Sequence, residues 1–190
     1  GTMIGISATI LAMFSVFAAV LGETGGSETF VKIGKKLTGR LTGGTAKMSL
    51  ISDALFGMIS GSAMANVVGT GVFTIPMMKK SGFPSKWAAA FEAVGSTGGQ
   101  IMPPIMGSAA FIMAQIISKP YKEIAVSAII PAILYYIGVY VAINGIAKKY
   151  GILGTNDKVV ITSSEYLNIF APLGVFIVFL VQGFSAANAA

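Results

Sequence analysis

Ser60-Gly61-Ser62-Ala63-Met64-Ala65-Asn66 and Ser96-Thr97-Gly98-Gly99-Gln100-Ile101-Met102-Pro103-Pro104 are two helix-breaking stretches set inside apolar sequence. The first separates the apolar runs 48–59 and 67–78, each about half of the roughly 20 residues that a bilayer-spanning helix needs. That pattern predicts a re-entrant helical hairpin over 44–80, entering a membrane and turning back. The second lies between 87–95 and 105–115, and its glycines and paired prolines cannot continue a helix, so 84–118 is expected to be a broken transmembrane helix. Two interruptions at membrane depth point to one shared binding site.

Outward from this pair, residues 3–21 are apolar and, at about 1.5 Å rise per residue, long enough to cross a hydrocarbon core of roughly 30 Å. Residues 27–41 read as an amphipathic helix, with Phe30, Ile33, Leu37 and Leu41 along one face and Lys32, Lys35, Lys36 and Arg40 elsewhere. A place on the membrane surface and a solvated linker suit those residues equally. Residues 124–146 and 166–181 are further spans containing Pro131 and Pro172. The expected fold class is all-α, a polytopic helical membrane protein in a lipid bilayer.

Composition agrees: 54% of residues are hydrophobic and 11% charged, against roughly 25% charged in soluble domains. The net charge of +6 does not indicate nucleic acid, because the basic residues stand at the ends of apolar runs rather than on one helix face. If 44–80 turns back and 84–118 crosses, Lys32, Lys35, Lys36, Arg40, Lys47, Lys79, Lys80, Lys86, Lys148, Lys149 and Lys158 share one side, leaving Lys119 and Lys122 on the other. A single span over 48–78 divides them seven against six and specifies no orientation. The positive-inside rule therefore favours a hairpin opening from the cytoplasm; it does not decide whether 84–118 is itself re-entrant.

A helix interrupted in a bilayer exposes carbonyls at one half-helix end and N–H groups at the other. Carbonyls with Ser or Asn oxygens suit a hard cation such as sodium, and the N–H ends suit a substrate carboxylate. Ser60, Gly61, Ser62 and Asn66 offer such groups at the first break, and Ser96, Thr97, Gly98 and Gly99 at the second. Gly57, Gly61, Gly69 and Gly71 also fit a packing stripe of one membrane helix. Of the two acids in apolar sequence, Glu92 reads as support for the second break, and Asp53 as a group that approaches the basic end. The absence of His and Cys removes imidazole relays, thiolate chemistry and the usual zinc sites, and the two acids make no recognisable catalytic pair, so no enzyme is expected. A passive channel or a non-transporting scaffold are the alternatives to a transporter.

The run from Ser60 to Gly71, the following Thr74-Ile75-Pro76-Met77-Met78-Lys79-Lys80, and Glu92-Ala93-Val94-Gly95-Ser96-Thr97-Gly98-Gly99-Gln100-Ile101-Met102-Pro103-Pro104-Ile105-Met106-Gly107 resemble the large membrane subunit of tripartite ATP-independent periplasmic (TRAP) transporters, in the variant with fused small and large subunits. The likeness runs from about Thr24 to Ser185. It implies an elevator-type, multi-pass secondary transporter of the bacterial inner membrane, with sodium (Na+) as coupling ion. A periplasmic substrate-binding protein would deliver an organic acid, and the small membrane subunit, or its fused equivalent, would be a partner. Carried over by motif, Ser60, Gly61, Ser62, Asn66, Thr97, Gly98, Gly99, Pro103 and Pro104 would line the substrate site, and Ser60, Ser62, Asn66, Ser96, Thr97 and Gly98 the sodium site. Residues 1–190 would then be one inverted repeat. The missing second repeat, a start without a basic n-region and an end just after a span imply a piece of a larger chain.

Overall fold

The computed structural model of the protein describes residues 16, 20, 25–155 and 159–181. Its helices are α1 (Gly26–Thr38), α2 (Gly44–Ser60), α3 (Ala63–Lys80), α4 (Ser85–Gly98), α5 (Ser108–Ile116), α6 (Tyr121–Lys149) and α7 (Ser163–Val181), with a 3-10 turn over Gly99–Ile101 after α4. No strand occurs among the described residues. The expected span 3–21 lies outside them except for Val16 and Val20, which are helical.

The stretch 44–80 is two antiparallel helices rather than one long one. Thr45 Oγ1 lies 2.6 Å from Ser81 Oγ at the open end, and Asn66 Nδ2 donates to the Asp53 carbonyl at 2.8 Å toward the closed end. The joint is shorter than the seven residues expected. Gly61 turns in the left-handed region (φ 57), and Ser62 is already the cap of α3, its Oγ accepting from Ala65 N at 3.3 Å. The helix therefore restarts at Ala63, and Asn66 belongs to its first turn.

α1 packs along α2 through a different face from the one expected. Phe30, Val31, Gly34 and Thr38 are buried, whereas Leu37 and Leu41 are exposed. The reason is Gly34, where an added Cβ would lie 2.6 Å from the Met48 carbonyl, so the two backbones meet there. Lys32 Nζ pairs with the Glu165 carboxylate at the start of α7. Their mutual hydrogen bond raises Lys32 above the usual lysine range and lowers Glu165 below the usual carboxylate range.

α6 runs back along the hairpin and α4. Gly43, with φ 66, sits where a Cβ would meet Ala147 Cβ at 2.6 Å, and Gly43 N donates to the Ile152 carbonyl at 3.0 Å. Thr155 N likewise donates to the Gly39 carbonyl at 2.7 Å. These contacts gather Arg40, Lys79, Lys80, Lys86, Lys148 and Lys149 at one end of the molecule. The hairpin joint, Met106 and Tyr121 gather at the other, the end that carries Lys119 and Lys122. The hairpin thus opens at the lysine-rich end.

Two apolar clusters hold the helices together. Near the lysine-rich end, Phe91 stacks on Trp87 at 5.8 Å and meets Phe83 edge-on at 5.7 Å, among Leu50, Met78, Ile143 and Ile152. Near the joint, Phe30 meets Phe56 edge-on at 6.5 Å beside Ile59, Ile105, Phe111 and Ile169. Away from the lysine-rich end, α6 keeps a largely apolar surface. Only Ala132, Ile143 and Ala147 of α6 are buried, while Ile130, Leu134 and Val141 are each more than 60% exposed. Among the described residues α6 is the one helix long and apolar enough to cross a membrane.

Removing the ring at the centre of the first cluster leaves a cavity between three helices. Phe91→Ala is expected to destabilise the complete protein by about 3 kcal/mol, read as a lowered thermal unfolding midpoint in detergent.

Candidate functional site

The two interruptions meet. A Cβ on Gly61 would lie 1.9 Å from the Met106 carbonyl oxygen, and one on Gly57 would lie 2.3 Å from Gly99 Cα. The joint of the hairpin therefore presses backbone to backbone against the break that follows α4. In that break Ile105 N donates to the Met58 carbonyl at 3.3 Å and Gly107 N to the Gln100 carbonyl at 2.7 Å. Pro103-Pro104 is a cis peptide. The Tyr121 hydroxyl donates to the Pro104 carbonyl at 2.9 Å and also contacts the Ile105 carbonyl. The carbonyl ends of α2 and α4 converge with the N–H ends of α3 and α5, which sets partial negative and partial positive charge side by side.

Most of the residues singled out from sequence gather here. Ser60, Gly61 and Ser62 form the joint, where Ser62 N approaches Ser60 Oγ at 3.4 Å. Asn66 is fully buried, with its amide nitrogen beside both Gly57 and Gly99. Pro103 and Pro104 lie in the break. The expected unwound segment is corrected at its start: Ser96, Thr97 and Gly98 are helical, because flanking helices cover α4 and let its glycines stay in register. Thr97 is exposed and donates to the Ala93 carbonyl at 2.7 Å. Gly98 turns toward α6, against the rings of Tyr135 and Tyr136. Thr97 and Gly98 thus lie away from the hairpin, Thr97 exposed and Gly98 buried against α6, and Ser96 and Gly99 are buried as well.

Deeper between the helices, the structure unites two acids that the sequence left apart. Asp53 and Glu92 are 0% and 1% exposed. Ser49 Oγ lies 3.3 Å from Asp53 Oδ2 and 2.8 Å from Glu92 Oε2. Thr70 Oγ1 lies 2.8 Å from Asp53 Oδ1 and 2.8 Å from Glu92 Oε1, and Thr74 Oγ1 bonds Glu92 Oε2. Asp53 does not reach the basic end. Lys47, two turns earlier on α2, is itself buried and directs Nζ to Asn144 Oδ1 at 2.9 Å and over the Tyr140 ring. Neither acid has a lysine or arginine partner among the described residues.

Thr70 Oγ1 has three oxygens at 2.8 Å, Asp53 Oδ1, Glu92 Oε1 and the Asn66 carbonyl, so a single hydroxyl links both acids to the backbone of α3. The signal was present in the sequence as four-residue spacing: Ser49 with Asp53, and Asn66 with Thr70 and Thr74, each lay a polar stripe on one helix face.

Among the described residues no group of three or more Asp or Glu side chains is placed to hold a metal. Any cation at the two breaks would rely on neutral oxygens. Ser96 Oγ fits that role, being fully buried with no hydrogen-bond partner among the described residues. An orphaned hydroxyl of this kind is what a hard cation, or a water hydrating it, satisfies.

A family model described as "Tripartite ATP-independent periplasmic transporter, DctM component" matches residues 3–190. The chain is 26% identical over 199 residues to the C4-dicarboxylate TRAP transporter large permease protein DctM of Vibrio cholerae, covering 95% of this chain and 44% of that protein. It is 28% identical over 139 residues to the sialic acid TRAP transporter permease protein SiaT of Haemophilus influenzae, covering 73% of this chain and 22% of that one. It is 34% identical over 98 residues to an uncharacterized protein, YgiK, of Salmonella typhimurium, covering 50% and 22%. The chain thus spans less than half the length of these curated relatives. With the family's model matched across nearly all of its residues, the chain belongs to the DctM component of the tripartite ATP-independent periplasmic transporters.

Proposed function

We propose that this chain is half of the transport core of a TRAP large permease, in which α2 and α3 form a re-entrant hairpin and α4 to α5 a broken helix. The complete protein would sit in the bacterial inner membrane and take up organic acid anions with sodium, by an elevator movement, from a periplasmic substrate-binding protein. A small membrane subunit, or its fused equivalent, completes the assembly. The observation that carries this reading is the backbone contact of the two breaks, Gly61 on Met106 and Gly57 on Gly99.

Several features support it. The hairpin arms have 17 and 18 residues and rise about 26 Å, short of a hydrocarbon core of roughly 30 Å, whereas α6 with 29 residues rises about 43 Å. A hairpin of that length, with both mouths at the lysine-rich end, stops inside the membrane that α6 crosses. The N–H ends of α3 and α5 suit a carboxylate, and the relatives' names speak of sialic acid and C4-dicarboxylates, both organic acids.

For the cation, the chain offers the Ser60, Ser62 and Ser96 hydroxyls, the Asn66 side chain and the carbonyls at the ends of α2 and α4. Bound sodium supplies the positive charge that offsets those converging dipoles. The residues themselves hold the hairpin joint against the break: Asn66 ties α3 to the Asp53 carbonyl, and the two glycine contacts set the separation. The Asp53–Glu92 pair clasps α2, α3 and α4 about two turns away from the joint, so hairpin and broken helix behave as one body.

In the complete protein, Asn66→Leu is expected to abolish sodium-dependent uptake while membrane insertion persists; uptake at the unmodified rate would remove Asn66 from the site. Residues 1–190 hold no cysteine, so a single cysteine placed among them reports their topology once any cysteine elsewhere in the complete protein is replaced. Arg40→Cys and Lys80→Cys should react with an impermeant thiol reagent from the same side and Lys119→Cys from the opposite side. For the clasp, Glu92→Gln should retain most of the stability, since an amide keeps hydrogen bonds to the three hydroxyls. Glu92→Ala, which leaves them unpaired, should cost on the order of 3 kcal/mol, read from thermal unfolding.

A further inference from the structure

α6 holds the broken helix on both sides of its break, each time through tyrosine hydroxyls. Before the break, Tyr135 donates to the Val94 carbonyl at 2.8 Å and Tyr136 to the Gly95 carbonyl at 3.1 Å. After it, Tyr121 donates to the Pro104 carbonyl at 2.9 Å and also contacts the Ile105 carbonyl. Tyr135 and Tyr136 follow Tyr121 by about four turns, so all three stand on one face of α6. Between them that face carries Ala125, Ala128 and Ala132, small residues of which Ala132 is fully buried.

The rings are held as well as the hydroxyls. Tyr121 stacks on Phe111 of α5 at 4.2 Å, with the ring planes 3° apart. Tyr135 and Tyr136 meet edge-on at 5.6 Å. Gly98 leaves them room, since a Cβ there would lie 2.5 Å from Tyr135 Cε1. The Gly95 carbonyl needs its tyrosine: where α4 tightens into the 3-10 turn, Gly99 N donates to the Ser96 carbonyl instead. A tyrosine packed in a membrane protein seeks an acceptor in any fold. Packing alone gives no reason for three of them to choose main-chain carbonyls on the two sides of one break.

We propose that Tyr121, Tyr135 and Tyr136 are positioning residues of the site at the two breaks, with α6 as a rod that sets how far the end of α4 stands from the start of α5. The role rests on the cation site proposed above and adds the residues that hold its width. Those two helix ends carry opposite partial charge, and a cation coordinated by carbonyls there responds to their separation. The tyrosines touch no ligand in this scheme. They act through the carbonyls that they hold.

The test uses the complete protein, with any other cysteine replaced and spin labels on Ala93→Cys in α4 and Ala109→Cys in α5, both exposed positions. Electron paramagnetic resonance should give one narrow distance distribution. Tyr121→Phe should broaden it, and so should Tyr135→Phe with Tyr136→Phe; phenylalanine keeps the rings, so the fold persists. Without labels, sodium chloride is then titrated against choline chloride and thermal unfolding followed in detergent. In the same variants the concentration at which sodium begins to raise the unfolding midpoint should move up about tenfold. Phe91→Ala, a packing variant away from the break, should lower the midpoint throughout yet leave that onset in place. Tyr150→Phe, at the exposed far end of α6, should match the parent protein in both measurements. Label distances unchanged by Tyr121→Phe would overturn the rod. Broadened distances with an unchanged sodium onset would make the tyrosines merely structural and overturn the positioning role. A parent protein indifferent to sodium would undo the cation site proposed above, and the label distances would then decide the rod by themselves.

Discussion

Two helices broken in mid-course coexist in this fold because each supplies what the other lacks. A break leaves backbone groups without helical partners, and inside a membrane water is not there to satisfy them. Here the Met58 carbonyl, at the end of α2, accepts from Ile105 N in the second break, and the Tyr121 hydroxyl at the start of α6 serves the carbonyls on either side. Glycines make the exchange possible, because a side chain at residue 57, 61 or 99 would hold the two backbones apart. The antiparallel hairpin, the course of α4 and the overlap of α6 with the break all follow from this mutual repair.

The polar core extends that logic away from the breaks. An apolar hairpin in an apolar solvent gains little from hydrophobic burial, so packing and internal hydrogen bonds carry more of the association of membrane helices. Ser49, Thr70 and Thr74 provide those bonds around Asp53 and Glu92, with one polar group from nearly every turn of the interface. The aromatic cluster around Phe91 closes the same helices near the lysine-rich end. Stability and site are therefore built on separate sets of side chains along the same two arms.

Much of this was legible in the amino-acid order. Half-length apolar runs around Gly61 and the proline pair at 103–104 foretold the two antiparallel helices and the break that follows α4. The extents of the breaks were not legible, because glycine and serine count locally as breakers while their helix is kept by neighbours: Gly98 lies against two tyrosine rings and stays helical. The amphipathic face of α1 was misjudged for a related reason, since apolar periodicity points to Leu37 but a glycine at 34 decides where α2 comes closest. The union of Asp53 with Glu92 joins residues 39 positions apart and has no local signature beyond its hydroxyl stripes. The resemblance carried by the residues around both breaks named the family, and the family model covers the same stretch.

The hydroxyls around the two acids have a mechanical consequence. Ser49 comes from α2, Thr70 and Thr74 from α3 and Glu92 from α4, and each of their bonds is directional. Sliding one of these helices past another by a single turn, about 5.4 Å, would break all of these bonds together. The register of α2, α3 and α4 is therefore all-or-none, with no partly slid arrangement in which the acids keep their partners.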